Sequence, residues 1–512
     1  MSQVAPNPEQ PLSAADVFAT DDLSRDLNRR SVQGGAAVVA GQAVVFLIIL
    51  ASTPVLARLL TPEDYGLLAM VAAITAFISY FKDLGLPQAT IQREAITHAQ
   101  ISTLFWINAA AGLGTAGLVA ALAFPIAWFY SRPQLVGITL ALSLSFVFAG
   151  LAAQHQALLR RRMCFGTLAV IQVAASLVGV TAAIIAAALG AEYWALVLLQ
   201  VLTAAGIAAG VWICCRWIPG PPVRGSGVRS MVRFGAYLAG GNILNAATRN
   251  IDKLLIGRIV GDRVLGLYSR ASLLLLSPVS QINLPITYVA VPALSRLQNE
   301  PERFRAMYRR GIEAIAMVVA PIPIFAFFAA EPIILVLLGD DWVGAIPISR
   351  ALAPAALVTA LGVSIHWVYV SLGRTDRQFR WVLFSSLCVL AGFVVGVQWS
   401  ALGVAIAFST VVAALFIPAV MYCFHGTFMK YADLTQPIWR PCLAALVAGA
   451  AVGLLERYLL GDLNPFLELP VVGVAFAVFH FVALIVLPGG YARVVSMFQL
   501  RRHFRPENAL QE

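Results

Sequence analysis

Charge is scarce in this chain. Asp, Glu, Lys and Arg make up 12% of its 512 residues, against 60% hydrophobic residues. With a mean hydropathy of +0.82, that composition excludes a water-soluble globular protein and requires lipid as the solvent. Cysteine is scarce as well, and Cys164, Cys214, Cys215, Cys388, Cys423 and Cys442 have neither CxxC spacing nor an exposed framework. They read as small core residues rather than metal ligands or disulfides. The histidines are scattered, and His366, deep in an apolar segment, reads as a satisfied core residue rather than a proton relay. A GxxxxGK[ST] loop is missing, which excludes ATP hydrolysis by that route. No segment holds paired carboxylates at glycosidase-like or metal-like spacing. The outer loops are short, the longest running from Glu331 to Gly344, so no extramembrane catalytic domain fits. These absences predict a protein that is not an enzyme and uses neither cofactor nor metal.

Hydrophobic length is what the chain has. A tail over 1–31 has no apolar core and no cleavage site, so it is not a signal peptide. Fourteen apolar segments of spanning length follow, from 32–57 to 466–488, with the seventh at 233–257 and the eighth at 264–291. The expected fold is an all-α integral membrane protein of about fourteen transmembrane helices. Lys and Arg fall mainly on one side: the outer ends carry only Arg58, Arg132, Arg258, Arg263, Arg350 and Arg457. By the positive-inside rule both termini are expected in the cytoplasm. The net charge of +10 is spread over the inner segments, which fits anionic inner-leaflet lipid and not nucleic acid. One inner connector, SRLQNEPERFRAMYRR, reads as an amphipathic helix at the interface or as a solvated connector.

The chain also repeats itself. Leu56-Ala57-Arg58-Leu59-Leu60 through Tyr65-Gly66-Leu67-Leu68 matches Ile256-Gly257-Arg258-Ile259-Val260 through Leu265-Gly266-Leu267-Tyr268, and the arginine, glycine and leucine coincide 200 residues on. Leu158-Leu159-Arg160 to Phe165 echoes Leu372-Gly373-Arg374 to Phe379, and Tyr193 to Leu196 echoes Trp399 to Leu402. Three echoes in one order argue for duplicated halves, as in many secondary transporters.

Within the second copy, the stretch from Gly241 to Leu276 forms two expected spans joined by a turn at Gly261-Asp262. It carries Asn242, Asn245, Arg249, Asp252, Lys253 and Arg270 at membrane depth, where charge is costly and marks a wet cavity or internal pairing. Arg249 shares a helix face with Asp252 and Lys253. One reading is an internal ion-pair network. The other is a cationic cavity, with Arg30 at its inner mouth, that attracts an anionic headgroup such as a pyrophosphate, whose oxygens suit the guanidinium fork. Asp83, beside Lys82, reads as a gating or ion-coupling carboxylate or as an interfacial cap. Trp106 and Asn108 read as lining the same cavity, with a place in the lipid belt as the alternative for Trp106.

The stretches ARLLTPEDYGLLAM (57–70), DLGLPQATIQR (83–93), STLFWINAAAGL (102–113), YWALV (193–197), DKLLIGRIVGDRVLGLYSRA (252–271) and PALSRLQNEPERFRAMYRR (292–310) resemble the polysaccharide transporter family of the multidrug, oligosaccharidyl-lipid and polysaccharide flippase superfamily. The resemblance runs from about residue 24 to about 425. It implies a tail (1–31), a six-helix N-lobe (32–215), a linker (216–232), a six-helix C-lobe (233–424), two terminal helices (425–488) and a final tail (489–512). It implies flipping of undecaprenyl-diphosphate-linked repeat units across the bacterial inner membrane for exopolysaccharide or lipopolysaccharide assembly, with a polymerase and co-polymerase as possible partners. The resemblance places Arg249, Asp252, Arg258 and Arg270 in family motifs, while depth and charge are what assign Arg30, Asn242, Asn245, Arg249, Lys253 and Arg270 to the substrate and Asp83 and Asp252 to gating or ion coupling. The rivals are a cation-coupled drug exporter of the same superfamily and, from another class, a membrane-embedded polymerase or scaffold.

Overall fold

The computed structural model describes residues 27–79, 86–92, 96–223, 250–460 and 463–487, and every regular element among the described residues is helical. The first part of the chain forms α1 (Leu27–Leu59), α2 (Pro62–Ser79), α3 (Leu86–Gln92), α4 (His98–Ala121), α5 (Ala123–Tyr130), α6 (Gln134–Arg161), α7 (Phe165–Ala188) and α8 (Trp194–Cys215). Then come α9 (Ile251–Ile259), α10 (Asp262–Arg296), α11 (Pro301–Val318), α12 (Pro321–Phe328), α13 (Ala330–Leu337), α14 (Ala345–Ser371), α15 (Thr375–Gly396), α16 (Ser400–Phe424), α17 (Tyr431–Leu455) and α18 (Pro465–Val486).

Eleven apolar helical stretches of described residues are long enough to cross a bilayer. One of them, Thr375–Phe424, is 50 residues long and contains both α15 and α16, parted by a 3-10 turn at Val397–Trp399. The expected second span begins as α2, and the expected seventh lies mostly outside the described residues. The protein is therefore a multi-pass helical membrane protein. Its exposed large residues fit that solvent: Leu113, Phe124, Trp128, Leu189 and Val289 point outward from their helices.

The contacts group the chain into two compact units, Met1–Gly266 and Leu267–Glu512, with the boundary one turn into α10. In the first unit α8 packs on α6 and α7, α4 packs on α6, and α1 packs on α7. In the second, α16 packs on α14 and α15, while α12 and α11 pack on α14. The pairing scheme thus recurs, and the echo around Arg160 and Arg374 falls at the equivalent α6–α7 and α14–α15 connectors. Small residues permit the closest crossings. A Cβ on Gly112 would lie 2.7 Å from the Phe146 carbonyl oxygen, and one on Gly150 would lie 2.7 Å from that of Asn108.

The segment 292–308 differs from its expectation. It does form a helix, opened by Pro301, but Phe304 and Tyr308 are fully buried in the core of the second unit with Trp367 and Tyr369. The Tyr308 hydroxyl donates to Ser364 Oγ at 3.0 Å. Its apolar face thus meets other helices rather than headgroups, and the helix runs on into the span Pro301–Phe328.

Candidate functional site

Of the residues singled out at membrane depth, Asn242, Asn245, Arg249 and Asp83 lie outside the described residues. Arg30 belongs to α1, but its side chain is outside them too. Asp252 and Lys253 open α9, both half-buried, and Lys253 Nζ donates a long 3.5 Å bond to Asn250 Oδ1. Arg270 stands half-buried in the third turn of α10. Arg258 is exposed at the end of α9, with its guanidinium 5.7 Å from the Phe129 ring centre.

The turn joining α9 to α10 forms where the sequence places it. Gly261 takes a φ of +112°, a conformation glycine adopts without strain, and its N–H donates to the Ile256 carbonyl at 3.0 Å. The reversal sets the start of α10 directly against the start of α2. A Cβ on Gly66 would stand 1.9 Å from the Asp262 carbonyl oxygen, and a Cβ on Gly266 would stand 1.8 Å from that of Pro62. Glycine alone allows this approach from both sides. Charges flank it: Arg263 Nη1 donates to Glu63 Oε1 at 3.0 Å, and Arg132 Nη2 donates to Asp262 Oδ1 at 3.0 Å. Asp262 Oδ1 also accepts from the Arg263 backbone N–H, and Thr61 and Asp64 cap α2 through a 2.8 Å bond from the Thr61 N–H to Asp64 Oδ2.

Sequence reasoning paired Arg58 with Arg258 and Gly66 with Gly266 without foreseeing that the two copies touch. The available signal was the constant offset itself, because positions 62, 63 and 66 meet 262, 263 and 266. The matched arginines have different partners, since Arg58 Nη1 donates to the Pro54 carbonyl at 2.8 Å.

Other buried polar groups belong to the helix bundles. The Trp106 indole donates to the Gly220 carbonyl at 2.9 Å, so this side chain ties the segment after α8 to α4. Asn108 is fully buried beside the Gly112–Gly150 crossing, and neither of its amide atoms has a hydrogen-bond partner among the described residues. Thr90 Oγ1 donates to Gln154 Oε1 at 3.1 Å, while Arg161 Nη1 donates to the Thr90 carbonyl at 3.0 Å. His155 is fully buried, stacked on Trp212, with Nε2 3.1 Å from the Trp217 carbonyl. In the second unit the carboxylate of Asp433 is fully buried. It accepts from Arg305 Nε at 2.8 Å, Arg309 Nε at 2.7 Å and the Lys430 N–H at 2.8 Å. Among the described residues no group of three or more His, Cys, Asp and Glu side chains is arranged to hold a metal ion.

Residues 55–347 match the protein family described as polysaccharide biosynthesis protein. Over 442 residues the chain is 25% identical to the lipopolysaccharide biosynthesis protein WzxC of Escherichia coli strain K12, covering 84% of this chain and 89% of that one. It is likewise 25% identical to the succinoglycan biosynthesis transport protein ExoT of Rhizobium meliloti strain 1021, covering 85% and 88%. In fold it is similar to the lipid II flippase MurJ in an inward closed conformation, with a TM-score of 0.70 at 14% identity, over 90% of this chain and 99% of that one.

Proposed function

The chain belongs to the polysaccharide biosynthesis protein family, and from that premise we propose that it is a flippase for lipid-linked oligosaccharide repeat units. The substrate would be an undecaprenyl-diphosphate-linked unit, carried across the bacterial inner membrane for exopolysaccharide or lipopolysaccharide assembly. The observation that carries this reading is the family match over 55–347, which spans both copies of the repeated hairpin. Relatives covering most of the chain are named for making or transporting such polymers, and the fold agrees with that of a lipid flippase.

The physics of the substrate limits what the protein must do. Each CH₂ of the polyprenyl tail moved from lipid into water would cost about 0.8 kcal/mol, so the tail stays in lipid and only the diphosphate-sugar head needs a polar path. Lobes over 32–215 and 233–424, working by alternating access, supply that path. Arg30, Asn242, Asn245, Arg249, Lys253 and Arg270 are assigned to the headgroup, and Asp83 and Asp252 to gating or ion coupling. Both termini are assigned to the cytoplasm, and a polymerase with its co-polymerase would take the flipped unit onward. A drug exporter would favour acidic cavity residues for cationic substrates, whereas the charges at depth here are mostly basic.

The test is deletion of the gene in a strain whose surface polymer can be assayed. Lipid-linked repeat units should accumulate on the inner leaflet while surface polysaccharide falls, and dye efflux should be unchanged. Intact surface polymer with no accumulation would exclude the flippase, and lost dye efflux would favour the exporter.

A further inference from the structure

Two polar side chains in the last pair of helices stand apart from the residues assigned to the headgroup and from the ion pairs described above. Arg440 follows Tyr431, the start of α17, by nine residues, or about 13 Å at 1.5 Å per residue. His480 precedes Val486, the end of α18, by six residues, or about 9 Å. The two helices are consecutive spans packed on one another, so the start of α17 and the end of α18 lie at the same face of the membrane. Both side chains therefore sit at similar depth within apolar stretches, where a polar group without a partner is costly.

Neither has a hydrogen-bond partner among the described residues. The Arg440 Nε is enclosed with no acceptor, and its guanidinium lies 5.1 Å from the centre of the Trp439 ring. The carboxylates of these helices are elsewhere: Asp433 is held by Arg305 and Arg309, and Glu456 and Glu468 stand at the opposite end. Both ring nitrogens of His480 are enclosed without a partner, and the ring stacks on Phe476 with centres 6.1 Å apart. It lies against the Ala444 backbone, too poorly aligned for a hydrogen bond. Arg440 is four residues before Ala444 and shares its helix face, so both donors border one α17–α18 seam.

That seam opens sideways to lipid. Trp439, Leu443, Phe479 and Phe481 beside it are exposed, and the buried residues of α18 are Glu468, Val472 and Phe476. An anion arriving at this depth from the side has to be carried by a lipid. Helical side chains lean towards the helix N-terminus, so the Arg440 stem leads its guanidinium towards headgroup level. A phosphodiester fits these donors, because its oxygens accept from the guanidinium fork and from an imidazole N–H while acyl chains cover the exposed apolar side chains.

We propose that Arg440 and His480 form a site on the α17–α18 seam for the phosphate of an anionic membrane phospholipid. This site does not depend on the flippase reading, since its lipid enters from the surrounding bilayer and is held rather than carried.

The experiment reconstitutes the full-length protein in nanodiscs with equal amounts of phosphatidylglycerol and phosphatidylcholine of the same acyl chains, then identifies the lipids retained on the protein by native mass spectrometry. The wild-type protein should retain phosphatidylglycerol with a preference of about tenfold, as one charge-assisted hydrogen bond supplies. Arg440→Gln with His480→Gln should bring that preference close to unity, whereas Arg440→Lys should keep part of it because the charge survives. Arg380→Gln, an exposed cation paired with Asp376 on α15, should leave it unchanged. Equal retention of the two lipids by the wild-type protein would overturn the site without recourse to any variant, and so would an undiminished preference in the double variant. Undecaprenyl phosphate added at a small fraction of the phosphatidylglycerol should leave the retained lipid in place. Displacement by it would overturn the proposal by assigning the pair to the carried lipid.

Discussion

Gly66 and Gly266 each stand where a β-carbon would overlap a carbonyl oxygen of the opposing copy, at 1.9 Å from Asp262 and 1.8 Å from Pro62. Two positions of one internal repeat are thus constrained by each other. Backbone cannot yield as the end of a flexible side chain can, so the helix starts must separate to admit a methyl group.

Gly66→Ala and Gly266→Ala are therefore expected to destabilise the protein by about 1–3 kcal/mol each, the usual range for overpacking, with the double variant less than additive. Gly114→Ala, where a β-carbon would have nothing within 4 Å, is the matched control and should be near neutral. Thermal unfolding of the detergent-purified variants measures the difference. Equal midpoints for Gly66→Ala and Gly114→Ala would contradict the contact.

Asp433 ties α17 to α11 by accepting from both Arg305 and Arg309, and no water reaches its carboxylate. Asp433→Ala takes the shared acceptor from Arg305, which keeps Glu302, and from the partly exposed Arg309, and should cost about 1–3 kcal/mol, appearing as a lower unfolding temperature and reduced protein level. Asp433→Ala combined with Arg305→Met and Arg309→Met should recover most of that loss, because the stranded charges go with the carboxylate. A triple variant no better than Asp433→Ala would argue against the clamp.

Asn108 presents the opposite case, a buried amide with neither atom hydrogen-bonded among the described residues. Asn108→Leu removes an unsatisfied group at similar volume, so stability should hold or rise by up to about 1 kcal/mol. Gln154→Leu, which takes an acceptor from Thr90, should instead lose about 1 kcal/mol. Urea or heat unfolding of the two variants side by side tests the contrast, and a marked loss for Asn108→Leu would show that the amide has a partner of its own.

Much of this architecture could be read from the sequence. The turn at Gly261, the repeated hairpin and the apolar spans follow from local pattern, because a helix's solvent face and a glycine's φ are set within a few residues. The ion pairs could not be read in the same way. Arg132 reaches Asp262 across 130 residues and Arg309 reaches Asp433 across 124, and neither pairing leaves a periodicity in the sequence. The segment from Pro301 misled for a related reason: an amphipathic helix has the same pattern whether its apolar side meets headgroups or, like Phe304 and Tyr308, a protein core. Trp106, expected in a cavity or lipid belt, is held by a carbonyl 114 residues away. The substrate residues proposed around Arg249 rest on depth and charge.

That cluster makes its own prediction. Arg249 lies outside the described residues, but in the sequence it precedes Gly257 by eight residues within the expected span 233–257, whose charges at depth are costly. Arg249→Ala should abolish flipping at normal protein level, and Arg249→Lys should recover part of it, since charge survives but the bidentate fork does not. Arg270→Ala should be milder. If Arg249→Ala misfolds and added Asp252→Ala restores both abundance and transport, the pair is a structural bridge and the headgroup is held elsewhere.

The most direct measurement of the central claim is the transbilayer distribution of the lipid-linked repeat unit in vesicles reconstituted with the purified protein. With labelled substrate loaded on one leaflet, the account predicts that the protein brings the headgroup to the opposite leaflet, where a membrane-impermeant glycosidase can cut it, and that Arg249→Ala vesicles do not. Equal glycosidase access in vesicles with and without the protein would contradict it.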